Sequence, residues 1–263
     1  MDNAHHFRSK LASGRVCLGT CITFADATVT EALSSVLDFV WIDTEHNPLT
    51  LERVQSHIMA TKGSETTPLV RVAANDPVLI KPVLDIGAAG VIVPLVRTAD
   101  DVRLAVAACR YPPEGIRGYG PRRPAGYGRL GGPEFCQAAN AAVITIVQIE
   151  QVEALHNLDQ ILRVPGLTSV VVGPNDLAAS LGYTGQPRHP EVLKAIDTVI
   201  AKARSAKVPA GVAVGDNPEL LIEWVDKGAG WLAIAADFML LLRSAVQLTQ
   251  CVREHERKRH DRA

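Results

Sequence analysis

The chain has 263 residues, of which 47% are hydrophobic and 21% charged, enough to bury a large core. Its formal net charge of −1 excludes a general electrostatic attraction to nucleic acid or to an anionic membrane. The chain has five cysteines but no CxxC pair, and its N-terminus lacks a signal-peptide pattern, which predicts a cytoplasmic protein with reduced thiols. It also lacks a long uncharged apolar stretch, so no membrane span is expected.

Apolar runs alternate with helical patterns along the whole chain. The predicted strands are 16–23, 39–42, 68–72, 90–96, 143–149, 169–172, 209–214 and 231–235. The predicted helices are 25–37, 49–62, 77–86, 99–110, 152–162, 190–206, 218–227 and 238–256. Most strands are nearly continuous Val/Ile runs, as in parallel sheets buried on both faces.

Eight βα units in this length predict an α/β protein with one (β/α)8 TIM barrel over residues 1–263. The basic tail at about 253–263 is expected to be a solvated helix end or a disordered segment. No GxGxxG motif follows the first strand, which disfavours a dinucleotide-binding fold. No organic cofactor is expected.

One segment, 111–132, interrupts the alternation and is rich in Gly, Pro and Arg. It connects the fourth helix to the fifth strand, and such connections normally start on the barrel face opposite the active site. Two interpretations remain open: a structural or subunit contact, or a flap that reaches a neighbouring site. Likewise, Arg122 and Arg123 are either solvated or subunit-contact residues, or cations that meet an anionic aldehyde.

Polar side chains follow several predicted strands at their carboxyl ends. They are Asp43, Glu45 and His46 at the second strand, Arg71 in the third, Gln148 and Glu150 at the fifth, and Asn175 and Asp176, shortly after Gly173, at the sixth. Enzymes with this fold assemble their sites from the carboxyl ends of barrel strands. We therefore expect these residues to share one rim and to form a site.

Glu150 and Asp176 come from adjacent strands, and two carboxylates on one rim repel each other unless a proton or a cation lies between them. A hard divalent cation, Mg²⁺ or Mn²⁺ with Co²⁺ as a further option, satisfies this requirement. Taken singly, Glu150 is explained as an acid at a helix start and Asp176 as a helix N-cap. Their proximity to His46 and Arg71 favours the metal site.

His46 is a candidate general base because imidazole titrates near neutral pH and a nearby carboxylate can orient it. Arg71 places a fixed cation in a buried strand, which requires an anionic partner. That partner is either a substrate oxygen or an ion pair with Asp43 or Glu45. Asp85 ends a predicted helix, and its pattern alone indicates a structural role.

Several motifs now form a recognisable series. They are WIDTEHNPLT, PLVRV, LDIGAAGVIVPLV, CRYPPEGIRGYG, VQIE and VVGPNDLAASLGYTGQPRHPEV. Over about residues 10–245 the chain resembles the HpcH/HpaI aldolase family, whose members are class II, metal-dependent aldolases of 2-oxo acids. The resemblance is specific for the family and weak for the substrate, because Thr44, Gln151, Asn175 and Ala178 depart from common family residues near the pocket.

The resemblance implies roles for the rim residues. Glu150 and Asp176 match the metal ligands, His46 matches the base, and Arg71 matches the residue that stabilises the enolate. Gln148 matches a substrate or water contact.

The remaining candidates lie beside these residues. Gly173, Asn175 and Asp176 cover the backbone stretch that matches the pyruvate-carboxylate site. Asp43 is a further candidate catalytic residue and Glu45 a supporting one.

Asp85 matches an acid that, from a neighbouring subunit, raises the basicity of the histidine. The resemblance therefore also implies a homo-oligomer, usually a hexamer, in which the C-terminal helix is exchanged between subunits. Small-molecule substrates are expected, and neither nucleic acid nor a membrane is an expected partner.

The expected reaction is reversible cleavage of a 4-hydroxy-2-oxo acid to pyruvate and an aldehyde. No Schiff-base lysine is required, since Lys62 and Lys81 lie on helical patterns rather than at strand ends. The alternatives are decarboxylation of an oxaloacetate-like 2-oxo acid or cleavage of an acyl-CoA ester. A non-catalytic barrel is disfavoured because every strand-end residue of the set is present.

Overall fold

The computed structural model describes residues 2–260, and these form a closed barrel of eight parallel strands in chain order. The strands are β1 Cys17–Ile22, β2 Phe39–Asp43, β3 Thr67–Arg71, β4 Gly90–Val93, β5 Ile144–Ile149, β6 Ser169–Val172, β7 Ala210–Val214 and β8 Trp231–Ala236. β8 pairs with β1 and closes the barrel, with a register shift between Gly19 and Cys21. The predicted (β/α)8 barrel is thus confirmed.

Twelve helices occur among the described residues. They are α1 Asp2–Ala12, α2 Thr28–Leu33, α3 Leu51–Ala60, α4 Pro77–Asp85, α5 Ala99–Cys109, α6 Gly132–Ala142, α7 Val152–His156, α8 Leu158–Ile161, α9 Pro174–Ser180, α10 Pro190–Ser205, α11 Pro218–Asp226 and α12 Asp237–His260. Several start at the signals expected from sequence: the side chain of Thr50 caps α3, and that of Asp76 caps α4 ahead of a proline.

Three helices, α1, α6 and α9, were not predicted, and the predicted helix 152–162 is divided into α7 and α8. α1 precedes the first strand and packs on the amino-terminal end of the barrel, where the Phe7 ring meets Phe39 at 5.6 Å and Trp231 at 5.9 Å. α6 begins with Pro133 in its first turn, directly after the Gly/Pro-rich segment. α1 and α6 both depend on contacts with residues that are distant in the chain; those of α6 are with Tyr111.

The core has two layers, as a closed barrel requires. Alternate strand residues, such as Val70 and Val91, face the surrounding helices. The other set fills the barrel interior and includes Leu69, Ile146 and three large aromatic side chains, Phe39, Trp41 and Trp231. This filled interior leaves the carboxyl-terminal rim as the place where polar side chains gather.

α12 extends from the end of β8 and is exposed along nearly its whole length. Its exposed apolar side chains are Phe238, Leu241, Leu242, Val246, Leu248 and Val252. Residues 253–260 of the basic tail continue this helix, and 261–263 lie outside the described residues. Within the described part of the chain, no helix is both long and apolar enough to cross a membrane.

Candidate active site

Arg71, the last residue of β3, is the cation at the rim and is 8% exposed. Its Nε donates to Asp43 Oδ1 at 2.8 Å, and its Nη1 lies 3.0 Å from Glu45 Oε2. The guanidinium also lies 5.1 Å from the centre of the Trp41 ring, within the range of a cation–π contact. The ion pair considered from the sequence is therefore present with both acids, and it fixes the direction of the guanidinium.

Asp43 is 1% exposed and takes several hydrogen bonds. Besides Arg71, the backbone N–H of Glu45 donates to it at 3.1 Å and the amide of Asn47 at 2.5 Å. Burial raises the pKa of Asp43, but the Arg71 guanidinium and these donors outweigh it and hold the pKa below its ordinary value. Asp43 is therefore a carboxylate that holds Arg71 in place.

The β2–α3 loop also fixes the Arg71 backbone. The backbone N–H of Thr44 donates to the Arg71 carbonyl oxygen at 3.0 Å, and the Thr44 hydroxyl donates to the same oxygen at 2.6 Å. Thr44 stands where glycine is common in the resembled family, so the hydroxyl contact is an added constraint on the arginine.

His46 is the most accessible of the candidates, with a side chain 60% exposed. Its Nε2 lies 3.7 Å from Glu45 Oε2. Burial and the nearby acids Asp43 and Asp176 raise the pKa of Glu45, against the opposing effect of Arg71 and His46. An accessible imidazole beside a carboxylate can exchange protons with a bound molecule or with water.

Glu150 directly follows β5 and is 1% exposed. Its Oε1 accepts the backbone N–H of Leu95 at 2.6 Å, and its Oε2 accepts a hydrogen bond from the Gln148 amide. Burial raises the pKa of Glu150; the Leu95 N–H opposes this, and the negative charges of Asp176 and Glu45 add to it. A buried carboxylate facing two other acids is poorly stabilised as an anion without a cation.

Gly173 separates β6 from α9 and borders Glu150. A Cβ at this position would lie 2.8 Å from Gln148 Nε2 and 3.2 Å from Glu150 Oε2, so the close approach needs glycine. Asp176 lies in the first turn of α9 and is partly exposed, while Asn175 is exposed. The β6–α9 connection thus brings Asp176 to the Glu150 side of the rim.

Glu150 and Asp176 are the side chains that can hold a divalent metal. Their chemistry fits, since both are hard oxygen donors, and the pKa of Glu150 is raised first by its burial and then by the negative charges of Asp176 and Glu45. Gln148 Oε1 is buried without a hydrogen-bond partner among the described residues, so a further acceptor is available there. Over residues 2–260 there is no cluster of three or more His, Cys, Asp or Glu suited to a metal.

Asp85 lies elsewhere in this chain. It ends α4, five residues before β4 begins, and therefore lies at the amino-terminal end of the barrel, while His46 follows β2 at the carboxyl end. Its carboxylate accepts from Arg117 Nη2 at 2.6 Å, and Arg117 is 4% exposed and lies over the Tyr111 ring. Within one chain, Asp85 and His46 are thus not brought together.

Sequence reasoning missed three contacts at the rim. The first is the contact of Trp41 with Arg71, although Trp41 stands two positions before Asp43 and this spacing on a strand signals a shared face. The Thr44 hydroxyl contact and the Leu95 N–H contact were also missed. No sequence signal reveals the Leu95 contact, because it depends on an unusual backbone conformation.

The fold and its rim define a barrel protein whose acids, imidazole and guanidinium gather at the carboxyl ends of the strands. The model of the HpcH/HpaI aldolase/citrate lyase family matches residues 23–244, and the chain belongs to this family, as its motifs indicated. It is 39% identical over 251 residues to a 4-hydroxy-2-oxo-heptane-1,7-dioate aldolase of Shigella sonnei (strain Ss046), covering 94% of each chain.

Two solved structures show the same fold. A HpcH/HpaI aldolase/citrate lyase family protein from Burkholderia cenocepacia J2315 aligns with a TM-score of 0.88 and 33% identity, over 94% of this chain and 98% of that one. A HpcH/HpaI aldolase from Desulfitobacterium hafniense DCB-2 aligns with a TM-score of 0.86 and 28% identity, over 94% and 96%.

Proposed function

We propose that this protein is a divalent-metal-dependent aldolase that cleaves a 4-hydroxy-2-oxo acid reversibly to pyruvate and an aldehyde. The observation that carries the proposal is the rim itself. A buried guanidinium, an accessible imidazole and the carboxylates of Glu150 and Asp176 lie at the carboxyl ends of β2, β3, β5 and β6. Membership of an aldolase and lyase family supports the same chemistry.

Glu150 and Asp176 would hold the metal, Mg²⁺ or Mn²⁺ with Co²⁺ as a further option. When bound, the metal supplies positive charge against the negative charge that develops on the substrate's keto oxygen. The backbone around Gly173, together with Asn175 and Asp176, would receive the carboxylate of the 2-oxo acid. α9 begins there, no side chain caps it, and the N–H groups of Asn175 and Asp176 follow Pro174 in its first turn. Gln148, with its unpartnered Oε1, would contact a water or a substrate hydroxyl.

His46 would remove the proton of the 4-hydroxyl group, directly or through a water molecule, so that the C3–C4 bond breaks and the aldehyde leaves. Arg71, oriented by Asp43 and Glu45, would stabilise the oxygen of the pyruvate enolate. Protonation of the enolate carbon completes cleavage, and the reverse sequence gives aldol addition. Preorganisation of Arg71 matters because a guanidinium already oriented has little reorganisation to undergo during the reaction.

The proposal includes a homo-oligomer, and its family resemblance favours a hexamer. Asp85 is too remote to act on His46 of its own chain, so its proposed effect on the histidine requires a second subunit. The exposed apolar side chains of α12 support a helix exchanged between subunits, because such a surface is costly to leave in water.

The related aldolase from Shigella sonnei carries the name of a dioate substrate. We infer that the natural substrate here is also a 2-oxo acid with a second anionic group. Arg122 is exposed and Arg123 is partly exposed on the segment that follows Asp85's partner Arg117, and either one could meet that group across a subunit contact.

Chelation tests the metal and the reaction together. The purified protein is treated with EDTA, dialysed, and assayed for pyruvate release from a panel of 4-hydroxy-2-oxo acids with and without Mg²⁺ or Mn²⁺. Activity should disappear with EDTA and return with metal, and Glu150→Gln should not respond. Oxaloacetate and an acyl-CoA ester belong in the panel, because a higher kcat/KM on either would overturn aldol cleavage as the main reaction.

A borohydride control separates the two aldolase classes. A lysine-based aldolase forms a Schiff base with pyruvate, which borohydride reduces to a stable adduct visible by mass spectrometry. We expect no adduct. Activity indifferent to chelation together with a covalent adduct would exclude the proposed mechanism.

A further inference from the structure

Leu95 has a backbone conformation that is unusual for its residue type. Its φ is +58°, in the left-handed region, although it is not a glycine. Side chains with a Cβ populate this region poorly, and bulky ones more poorly still. Such a conformation persists only where the surrounding structure enforces it.

The chain on both sides of Leu95 supplies that enforcement. Pro94 and Val96 are buried, while the Leu95 side chain between them is 48% exposed. Beyond them, the Arg97 N–H donates to the Asp101 carboxylate at 2.9 Å, and the Asn157 amide donates to the Arg97 carbonyl at 3.0 Å. The loop after β4 is thus anchored on both sides of one strained residue.

The strained residue has one polar contact that explains its orientation. Its backbone N–H donates to Glu150 Oε1 at 2.6 Å, across from β4 to β5. The other oxygen, Oε2, accepts from Gln148 and borders Gly173, which leads into the turn that carries Asp176. The Leu95 N–H therefore holds Oε1, while Oε2 is the oxygen that borders Gly173.

We propose that Leu95 is a positioning residue for Glu150, acting through its left-handed backbone rather than through its side chain. The inference rests on the proposed metal site and adds the element that orients one of its two carboxylates. A hydrogen bond to a carboxylate is stronger than one to a neutral acceptor. The contact between the Leu95 N–H and Glu150 therefore helps to stabilise the strained backbone of Leu95. The expected consequence is that metal affinity follows the φ preference of residue 95.

Four substitutions separate backbone from side chain. Leu95→Val keeps an apolar side chain but disfavours positive φ, because valine is branched at Cβ. Leu95→Ala is a milder version, useful if the valine variant folds poorly. Leu95→Gly and Leu95→Asn remove the apolar side chain yet accept positive φ.

The measurement is the affinity of the protein for Mn²⁺, determined by electron paramagnetic resonance without substrate. We expect Leu95→Val to bind Mn²⁺ about 10-fold or more weakly, in the range typical for residues that orient metal ligands. Leu95→Gly should stay within about 5-fold of wild type, since its main cost is backbone entropy. Leu95→Asn should behave similarly, and Leu95→Ala should fall between the asparagine and valine variants.

Lys207 offers a matched control. It also has a φ of +58° but follows α10, at the amino-terminal end of the barrel. Lys207→Val should leave Mn²⁺ affinity unchanged even if it lowers thermal stability. A loss of affinity in Lys207→Val equal to that in Leu95→Val would mean that general destabilisation causes the effect.

Three further outcomes would overturn the inference. If Leu95→Val binds Mn²⁺ as tightly as wild type, the backbone contact does not position Glu150. If the glycine and asparagine variants weaken as much as the valine variant, the side chain is responsible. If wild type and the Glu150→Gln variant bind Mn²⁺ equally, or neither binds it, the proposed metal site itself fails, which is distinguishable from the first two results.

Discussion

Replacing Arg71 with alanine should destabilise the protein as well as impair catalysis. The substitution leaves Asp43, which is 1% exposed, without the guanidinium that contacts it at 2.8 Å. Removing one partner of a buried ion pair costs about 3–5 kcal/mol. For a chain of this size, 1 kcal/mol shifts the melting temperature by about 2–4 °C, so a decrease of roughly 6–20 °C is expected.

The effect should depend on pH in a defined direction. In the wild type, the pKa of Asp43 is held below its ordinary value, so its charge stabilises the fold above about pH 4, and this contribution is lost as pH falls through the folded pKa. In Arg71→Ala, burial is no longer outweighed, and the pKa of Asp43 rises. In the variant, Asp43 can then bind a proton on folding. The difference in free energy of unfolding between wild type and Arg71→Ala should therefore become smaller from pH 7 towards pH 4.5.

Urea unfolding of both proteins at pH 7 and at about pH 4.5 measures the gap, and other titrating groups largely cancel in the comparison. The double variant Arg71→Ala/Asp43→Asn should recover much of the loss at pH 7, because residue 43 then no longer carries an unpaired buried charge. A gap below about 1 kcal/mol that ignores pH, with no recovery in the double variant, would refute the reasoning. Independently, kcat should fall about 10²-fold or more if Arg71 stabilises the transition state.

Three further results are expected. Gly173→Ala should weaken Mn²⁺ binding about 10-fold with little loss of thermal stability, because its Cβ would lie 2.8 Å from a buried amide nitrogen; Gly215→Ala, where a Cβ meets open space, should bind Mn²⁺ normally. His57 is fully buried, and its burial lowers its pKa. Below about pH 6.5 the unfolded chain binds a proton on His57 that the folded chain does not, so the free energy of unfolding should fall by up to about 1.4 kcal/mol per pH unit. His57→Gln should flatten this slope in thermal unfolding. Inactive His46→Ala and Asp85→Ala subunits, when co-expressed, should regain part of the activity; no regain in verified mixed oligomers would exclude action of Asp85 across subunits.

The barrel could be predicted because its determinants are local. The strands are Val/Ile runs whose burial on both faces is evident in the sequence, and turn and capping residues mark most helix starts. α1 was not predictable because its sequence is mostly polar, and the helix is stabilised by the packing of Phe7 against Phe39 and Trp231 at the end of the barrel. Those partners are 32 and 224 residues away in the chain.

The candidate site, too, was predictable only in part: the placement of its residues could be predicted and their orientation could not. Glu150 and Arg71 could be placed at the rim because each ends or follows a strand, and the ends of parallel strands meet. Their orientation could not be predicted, since Arg71 is fixed by the Thr44 hydroxyl and Glu150 by a backbone N–H of Leu95. The left-handed conformation of Leu95 opposes its local preference, so only tertiary contacts determine it.

Charge balance connects these features to the proposed chemistry. Asp43, Glu45, Glu150 and Asp176 crowd one rim with Arg71 as the cation that pairs with two of them. The negative charge of these acids exceeds the single positive charge of Arg71, and such an excess would repel an anionic 2-oxo acid. A divalent cation held by Glu150 and Asp176, as proposed, would reduce this excess. The proposed metal would therefore assist the approach of the substrate as well as bond cleavage.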